Sequence, residues 1–487
     1  MQVQALILIL LFPFFGALLN GLISLKNPRM SLLISLGSIL SAILCVVYCC
    51  SVLPEGGSLK YYVGSWKPPY GIEFTADLFH LVLALFVLLI AFCNLLHCSP
   101  MLKSLFPRGR QFYSIYLILT VAFVGLIFTA DIFNLYVFLE ITSLASYALI
   151  GRGDGRACRA ALNYLLIGTV GASFYLIGVG FLYIKTGTLN LHDLNIMIST
   201  QYDSETIRAG FSFILLGLMI KMAVFPLHSW LPNAYSYCPQ PSVGLLAPVA
   251  TKVALFLMFK ISFELFPLEY IQQFDGLAYL LVNLMAVGII ILSLLALAQK
   301  NWVRAFCYFI VIEVCYIFGG FWLQNKSGLI GASYHIFADM VLTLGIFLFI
   351  GTIRLNFRAF VANRLAGLFR QFPLVSVAFL LISLSLIGVP PTAGFVSKFY
   401  LLKGAAEQQQ WLFFASLLFA SLTAVVIIFR IIEAGFFSEP NETLKPHYKN
   451  SMALMVSVLS FLAVLLLLLG IYQKPFIASV IIPYLNF

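Results

Sequence analysis

The sequence predicts an all-α, polytopic membrane protein of about fourteen transmembrane helices. Three observations carry that prediction. Of 487 residues, 62% are hydrophobic and 9% charged, whereas a soluble domain carries about 25% charged residues. Apolar runs long enough to cross the hydrocarbon as helices recur along the whole chain; barrel strands would alternate over about ten residues instead. The polar residues that interrupt these runs include prolines and lysines, which lipid tolerates only where a polar interior or a neighbouring helix receives them.

In order, the runs lie near 4–24, 30–52, 77–97, 112–130, 132–150, 160–184, 208–227, 243–265, 276–298, 304–323, 328–352, 372–404, 410–435 and 451–472. No basic segment precedes the first and no A-x-A-like site follows it, so a retained helix is expected rather than a cleaved signal. The seventh run, with KMAVFPLHSWLP, is interrupted at Pro226; the twelfth, LISLSLIGVPPTAGFVSKFYLL, breaks at Gly388, Pro390, Pro391 and Gly394. Proline removes a backbone donor and clashes with the preceding turn. Two broken spans five helices apart point to an inverted repeat, spans 4–8 against 9–13. The expected organisation is an N-terminal three-helix segment (1–111), a first five-helix unit (112–265), a second (276–435), and a C-terminal helix with its tail (451–487). The longest polar connections, 185–207 and 353–371, are too short to bury a core of their own.

The net charge is +10, but the basic residues are scattered singly through short loops, which fits orientation in a bilayer rather than a nucleic-acid partner. With the N-terminus outside, inward loops hold seventeen of the 28 lysines and arginines; outward segments, Lys60 and Lys260 among them, hold eight, and three are intramembrane. Both termini are therefore expected on the non-cytoplasmic side of the cell membrane. The nine cysteines lie mostly inside apolar runs without CxxC spacing, and no nucleotide, flavin, iron–sulfur or quinone motif is present. No metal site, disulfide framework or cofactor is expected. Trp66, Trp230 and Trp411, at run ends, read as interface anchors.

Seven ionisable residues fall well inside the runs: Glu140, Lys221, Lys252, Glu313, His335, Asp339 and Lys398. A lysine at mid-bilayer costs about 2.5–3.5 kcal/mol on insertion scales, so these groups are expected to face one another and to mark an ion or proton pathway. Glu140 is the expected partner of Lys221, and an opposite charge within about 4–6 Å would favour the ionised lysine. His335 and Asp339, at i and i+4, share a helical face, and histidine suits a proton relay; a core histidine bonded to a carbonyl is the plainer alternative. His228, at the seventh-span break, either lines the cavity or hydrogen-bonds freed backbone. Asp77, His80 and Asp131 lie at span edges, where interfacial solvation explains them. Arg430 and Glu433 are either an interfacial ion pair or a relay exit.

These residues resemble the antiporter-like subunits shared by Mrp-type multisubunit cation/proton antiporters, respiratory complex I and membrane-bound hydrogenases. The resemblance rests on FLEITSLASYALIG, KMAVFPLHSWLPNAY, ATKVALF, SYHIFAD and GVPPTAGFVSKF, and covers nearly the whole chain. It implies fourteen helices in two inverted five-helix repeats, with proton half-channels joined by a central row of charges. Glu140 and Lys221 then look like the ion pair of the first half-channel, Lys252 like the bridging lysine, His335 like part of the central relay and Lys398 like the terminal proton site. One departure stands out: where many members carry a lysine eight residues after the histidine, this chain has Thr343, with Asp339 and Glu313 as added acids nearby. Either an acidic relay replaces that lysine or the second half-channel is impaired. The segment YYVGSWKPPYGIEFTAD resembles the D-type branch of the Mrp antiporter subunits. The implied function is proton translocation coupled to Na⁺, in company with other membrane subunits. The alternatives are a proton-pumping membrane subunit of complex I or a hydrogenase, without its own redox centre, and a scaffold subunit with an impaired channel.

Overall fold

The computed structural model describes the chain except residues 1, 24–27, 55, 103–110, 202, 267, 358–365, 438–448 and 486–487. The basic residues Lys26, Lys103, Arg108, Arg110, Arg358, Arg364 and Lys445, used above to orient the chain, lie outside the described residues. Nearly everything else is helix, in the order expected of chain with no water to satisfy its backbone. The first part comprises α1 (Gln2–Ile23), α2 (Pro28–Val52), a two-stranded antiparallel hairpin of β1 (Leu59–Tyr62) and β2 (Glu73–Ala76), and α3 (Leu78–Leu102). There follow α4 (Phe112–Phe128), α5 (Ile132–Ile150), α6 (Gly155–Thr186), α7 (Leu191–Ser199), α8 (Glu205–Met222), α9 (Trp230–Tyr237) and α10 (Gln240–Lys260), which a π-turn at Ile261–Leu265 extends. The last part holds α11 (Leu268–Gln272), α12 (Asp275–Leu297), α13 (Trp302–Trp322), α14 (Lys326–Phe357), α15 (Leu368–Gln371), α16 (Pro373–Ile387), α17 (Ala393–Glu407), α18 (Trp411–Phe436), α19 (Lys449–Ile471) and short terminal turns.

Among the described residues, eleven helices are long and apolar enough to cross a membrane. The shorter apolar α4 and the broken pairs α8–α9 and α16–α17 supply the other expected crossings. The hairpin and the amphipathic α7 are additions to the expected all-helical plan.

Both breaks use one design. Helix α8 ends on Ala223 at φ +59°, three residues before Pro226; α16 ends on Gly388 at φ +91°, three residues before Pro391. A left-handed residue turns the chain out of the helix, and the proline prevents resumption of the old axis. The break in α8 is held from outside. Gly171 and Gly178 of α6 lie against Gly217 and Gly210 of α8 so closely that a methyl at Gly217 would stand 2.6 Å from the Gly171 carbonyl oxygen. Small residues that admit such approach are how helices associate in lipid.

The centre of the bundle is α10, α13 and α14; α14 is buried along its whole membrane-crossing stretch. Helices α2, α6, α18 and α19 instead expose much of their length, with Leu33, Leu44, Leu162, Leu166 and Leu422 turned outward, as a surface facing hydrocarbon requires. Trp66 and Trp411 are exposed, in keeping with interface anchors, but Trp230 is buried, stacked on Tyr164 at 3.9 Å between centroids. Its indole N–H donates to the Ile220 carbonyl at 3.2 Å, a second bond to an oxygen that also accepts from the Ala223 N–H at the end of α8. Asp131 is the N-cap of α5, accepting from the Asn134 N–H at 2.6 Å. Lys260 and His80, expected at the interface, are both buried.

Candidate functional site

The first charged pair joins two helices beside the small-residue contact that fixes α8. Lys221, in the last turn of α8, donates to Glu140 Oε1 at 3.3 Å and to Ser143 Oγ at 2.6 Å. Glu140 and Ser143 are one turn apart on α5, so a single face presents both partners. Lys221 is buried and Glu140 only partly so.

The second pair lies in the core. Lys252 of α10 is fully buried and its Nζ is 2.8 Å from Asp339 Oδ2 on α14. It also donates to Thr343 Oγ1 at 3.4 Å and to the Ala247 carbonyl at 3.3 Å. The Thr343 hydroxyl in turn donates to Asp339 Oδ1 at 2.7 Å. The position where a lysine was expected thus carries a hydroxyl that orients the carboxylate paired with Lys252.

A third group adjoins it. His335, one turn before Asp339, has other partners: its Nε2 hydrogen-bonds Glu313 of α13, and its Nδ1 is 2.7 Å from Ser397 Oγ of α17. Glu313 also pairs with Lys398 at 3.6 Å. The Lys398 ammonium reaches the Leu386 carbonyl, at the C-terminal end of α16, in a 2.5 Å contact and lies 5.2 Å from the centroid of the Tyr316 ring. A cation at a helix C-terminus compensates the open carbonyls there. The break between α16 and α17 therefore builds part of the Lys398 site.

Glu313 and Asp339 face a narrow cavity of about 10 Å³, lined otherwise by Thr343 and by apolar groups including Phe306, Phe309 and Phe347. That is about one water molecule's worth of space. Each carboxylate has a lysine ammonium beside it, Asp339 Oδ2 at 2.8 Å from Lys252 and Glu313 Oε1 at 3.6 Å from Lys398.

The structure brings five of the eight expected residues, Lys252, Asp339, Glu313, His335 and Lys398, together in the core with Thr343 among them, and sets Glu140 and Lys221 apart as a pair. His228, the eighth, stands in the break between α8 and α9, half-buried, with its ring stacked on Phe225; among the described contacts none links it to the row. Arg430 donates to the Leu297 carbonyl at 3.3 Å rather than to Glu433. Sequence reasoning missed Ser143, Ser397 and Tyr316. The signal available for them was position: each lies within one turn of an intramembrane charge, in EITS, SK and EVCY, although the charge it contacts is on another helix, Lys221, His335 and Lys398 respectively.

Comparison with known proteins agrees with this geometry. Residues 129–425, which run from the start of α5 into α18, match the family described as NADH:quinone oxidoreductase/Mrp antiporter, TM. The chain is 38% identical over 436 residues to the NADH-quinone oxidoreductase subunit N of Desulforudis audaxviator (strain MP104C), covering 88% of this chain and 86% of the relative. It is 31% identical over 408 residues to the D component of the Na(+)/H(+) antiporter of Bacillus subtilis (strain 168), covering 83% and 81%. Its fold matches a chain of the membrane-bound sulfane sulfur reductase, an archaeal respiratory membrane complex, with a TM-score of 0.88 and 26% identity over 98% of this chain and 96% of that one. The chain belongs to the NADH:quinone oxidoreductase/Mrp antiporter transmembrane family.

Proposed function

We propose that this chain is the proton-translocating subunit of a multisubunit Na⁺/H⁺ antiporter, passing protons along its buried row of acids and bases. One observation carries the reading: three acid–base groups, Glu140–Lys221, Lys252–Asp339 and His335–Glu313–Lys398, stand in succession on α5, α8, α10, α14, α13 and α17. In a low-dielectric interior each ion is held by its partner, so opening one pair changes the charge state favoured at the next. The likeness to a component of an Na(+)/H(+) antiporter supports Na⁺ as the coupled cation. Its partners are then H⁺, Na⁺, the bilayer and other membrane subunits, and it acts as a transporter rather than an enzyme.

The two units, 112–265 and 276–435, act in this reading as inverted repeats. Supporting it, α4 packs on α5 as α12 does on α13, α5 on α6 as α13 on α14, α6 on both halves of the broken α8–α9 as α14 on both halves of α16–α17, and α4 on α10 as α12 on α18. His228 is assigned to the mouth of the first unit. The excess of basic residues in alternate loops favours both termini outside the cytoplasm.

A second reading has its own support, the 38% identity to a relative named for NADH-quinone oxidoreductase: redox chemistry in other subunits drives the same row. A scaffold role is disfavoured by the full set of partners around Lys252. In everted vesicles carrying the assembled complex, a Na⁺ pulse without redox substrate should dissipate a pre-formed ΔpH. Proton movement seen only with a redox substrate would replace the antiporter reading with the second one.

A further inference from the structure

Away from the row, the hairpin, the start of α3, α7 and the π-turn after α10 enclose a cavity of about 350 Å³. Its polar lining includes Lys60, Glu73, Asp77, His80, His192 and Glu264. The π-turn accommodates an extra residue at the end of α10 and carries Glu264. Four ionisable groups run inward from the cavity. Asp77 Oδ1 is 2.7 Å from His80 Nδ1; His80 Nε2 is 3.2 Å from Glu264 Oε1; Glu264 Oε2 is 4.0 Å from the Lys260 ammonium. Asp77 and Glu264 are partly exposed, His80 between them is nearly enclosed, and Lys260 at the inner end is fully buried, donating to the Ile127 carbonyl at 2.7 Å.

Two further observations point to a ligand in this space. The carboxylate of Glu73 is almost completely buried, with Oε2 accepting from Asn190 at 2.9 Å, yet Oε1 accepts no hydrogen bond and has only the Lys60 ammonium 3.7 Å away. Both nitrogens of His80 face carboxylates. A neutral imidazole has one nitrogen without hydrogen, which would set a lone pair against a carboxylate oxygen. The imidazolium sets a positive charge beside both carboxylates, and that charge balances the three carboxylates Glu73, Asp77 and Glu264 against the two lysines Lys60 and Lys260.

We propose that this cavity is a second proton port, opening at the hairpin end of the bundle, with His80 as its proton-holding residue and Lys260 as its link to the row. The imidazolium first releases its Nε2 proton to Glu264; hydronium in the cavity then gives a proton to Asp77 and becomes water, and the carboxylic acid passes that proton to the now neutral imidazole, restoring the imidazolium. Release reverses these steps. The groups facing His80 are Asp77 before α3, Lys260 and Glu264 of α10 and its π-turn, and Tyr484 of the C-terminal turns, whose ring lies 5.6 Å from the imidazole; Lys60, Glu73 and His192 face it across the cavity. Lys260 is eight residues along α10 from Lys252, about 12 Å at 1.5 Å per residue, so a change of charge at one is felt at the other through protein rather than water.

The inference rests on the proton-translocating reading, and one experiment separates the two. In everted vesicles carrying the assembled complex, the Na⁺-driven proton flux, or the redox-driven flux if that is the active mode, is recorded against lumenal pH for wild type, His80→Gln and Glu264→Gln. The expected result is a flux reduced about tenfold in both variants, with the dependence on lumenal pH abolished in His80→Gln. Glu264→Gln keeps the side-chain shape, so it reads the port if His80→Gln fails to assemble. In parallel, Glu264→Cys in intact cells should react with a membrane-impermeant methanethiosulfonate above the background of the nine native cysteines. Wild-type flux in either mode with unaltered rate and pH profile in both variants overturns the port, as does a Glu264→Cys that stays unreactive. Absence of wild-type flux in both modes overturns the translocation reading itself and the port with it.

Discussion

The two ends of the charged row differ most in how far they are sealed. At Glu140–Lys221 the glutamate side chain is 28% exposed, and its face of α5 also carries Val137 and Leu144, both exposed. At the other end Lys252, Asp339, His335 and Glu313 are each within 2% of complete burial. On a lateral surface that faces hydrocarbon a pair can part at modest cost only where a neighbouring subunit covers that face with polar groups. A sealed pair cannot, since an unpaired charge there is left in low dielectric. The first pair thus has one side open to whatever packs on α5, whereas the second group is closed within this chain.

The largest effect expected from this contrast is on stability. Asp339→Ala strands the Lys252 ammonium and should cost about 3–5 kcal/mol, seen as a lowered unfolding temperature of the complex in detergent. Retention of wild-type stability would mean that water reaches Lys252 and the group is not sealed. Lys221→Ala should separate the two properties: proton flux lost, with membrane insertion kept and a smaller fall in unfolding temperature than Asp339→Ala, because the Glu140 it leaves behind is partly exposed rather than sealed. If it unfolds the complex as Asp339→Ala does, the two ends do not differ. A smaller change is expected of Thr343→Val, which removes one donor to Asp339 and one acceptor from Lys252, costing about 1 kcal/mol and slowing flux several-fold without abolishing it. Smallest is Ser397→Ala, which leaves His335 held by Glu313 alone; flux should fall about two- to threefold, and an unchanged rate would make Ser397 a packing residue.

The fold was largely legible because lipid permits so few answers. Runs of apolar residues had to be helices, and Pro226, Gly388 and Pro391 marked the two breaks in the right places. The hairpin was hidden because LKYY and EFTA are four-residue strands within a polar connection, with nothing long enough to show a period of two. The charged residues were legible one by one, since each is costly in hydrocarbon, but their pairing was not. His335 and Asp339 share a helix at i and i+4, yet point to α13 and α10 respectively, because α14 is enclosed on every side and has neighbours in both directions. Lys252 and Asp339 are 87 residues apart, and no local spacing announces such a contact. Lys260 and His80 were placed at the interface because they lie near run ends; the π-turn and the hairpin folded over them bury both.

The central claim, that protons travel through the acid–base row, is tested most directly by single-turnover proton release. Everted vesicles carrying wild-type complex, Lys221→Ala or Lys398→Ala would be given a Na⁺ jump, or a redox pulse if that drives the complex, and lumenal pH followed with a trapped dye. The account predicts a pH change in wild type and none in either variant, with all three complexes present in equal amount. A wild-type response in Lys221→Ala or Lys398→Ala would contradict it, because the protons would then be crossing by a route that does not use the row.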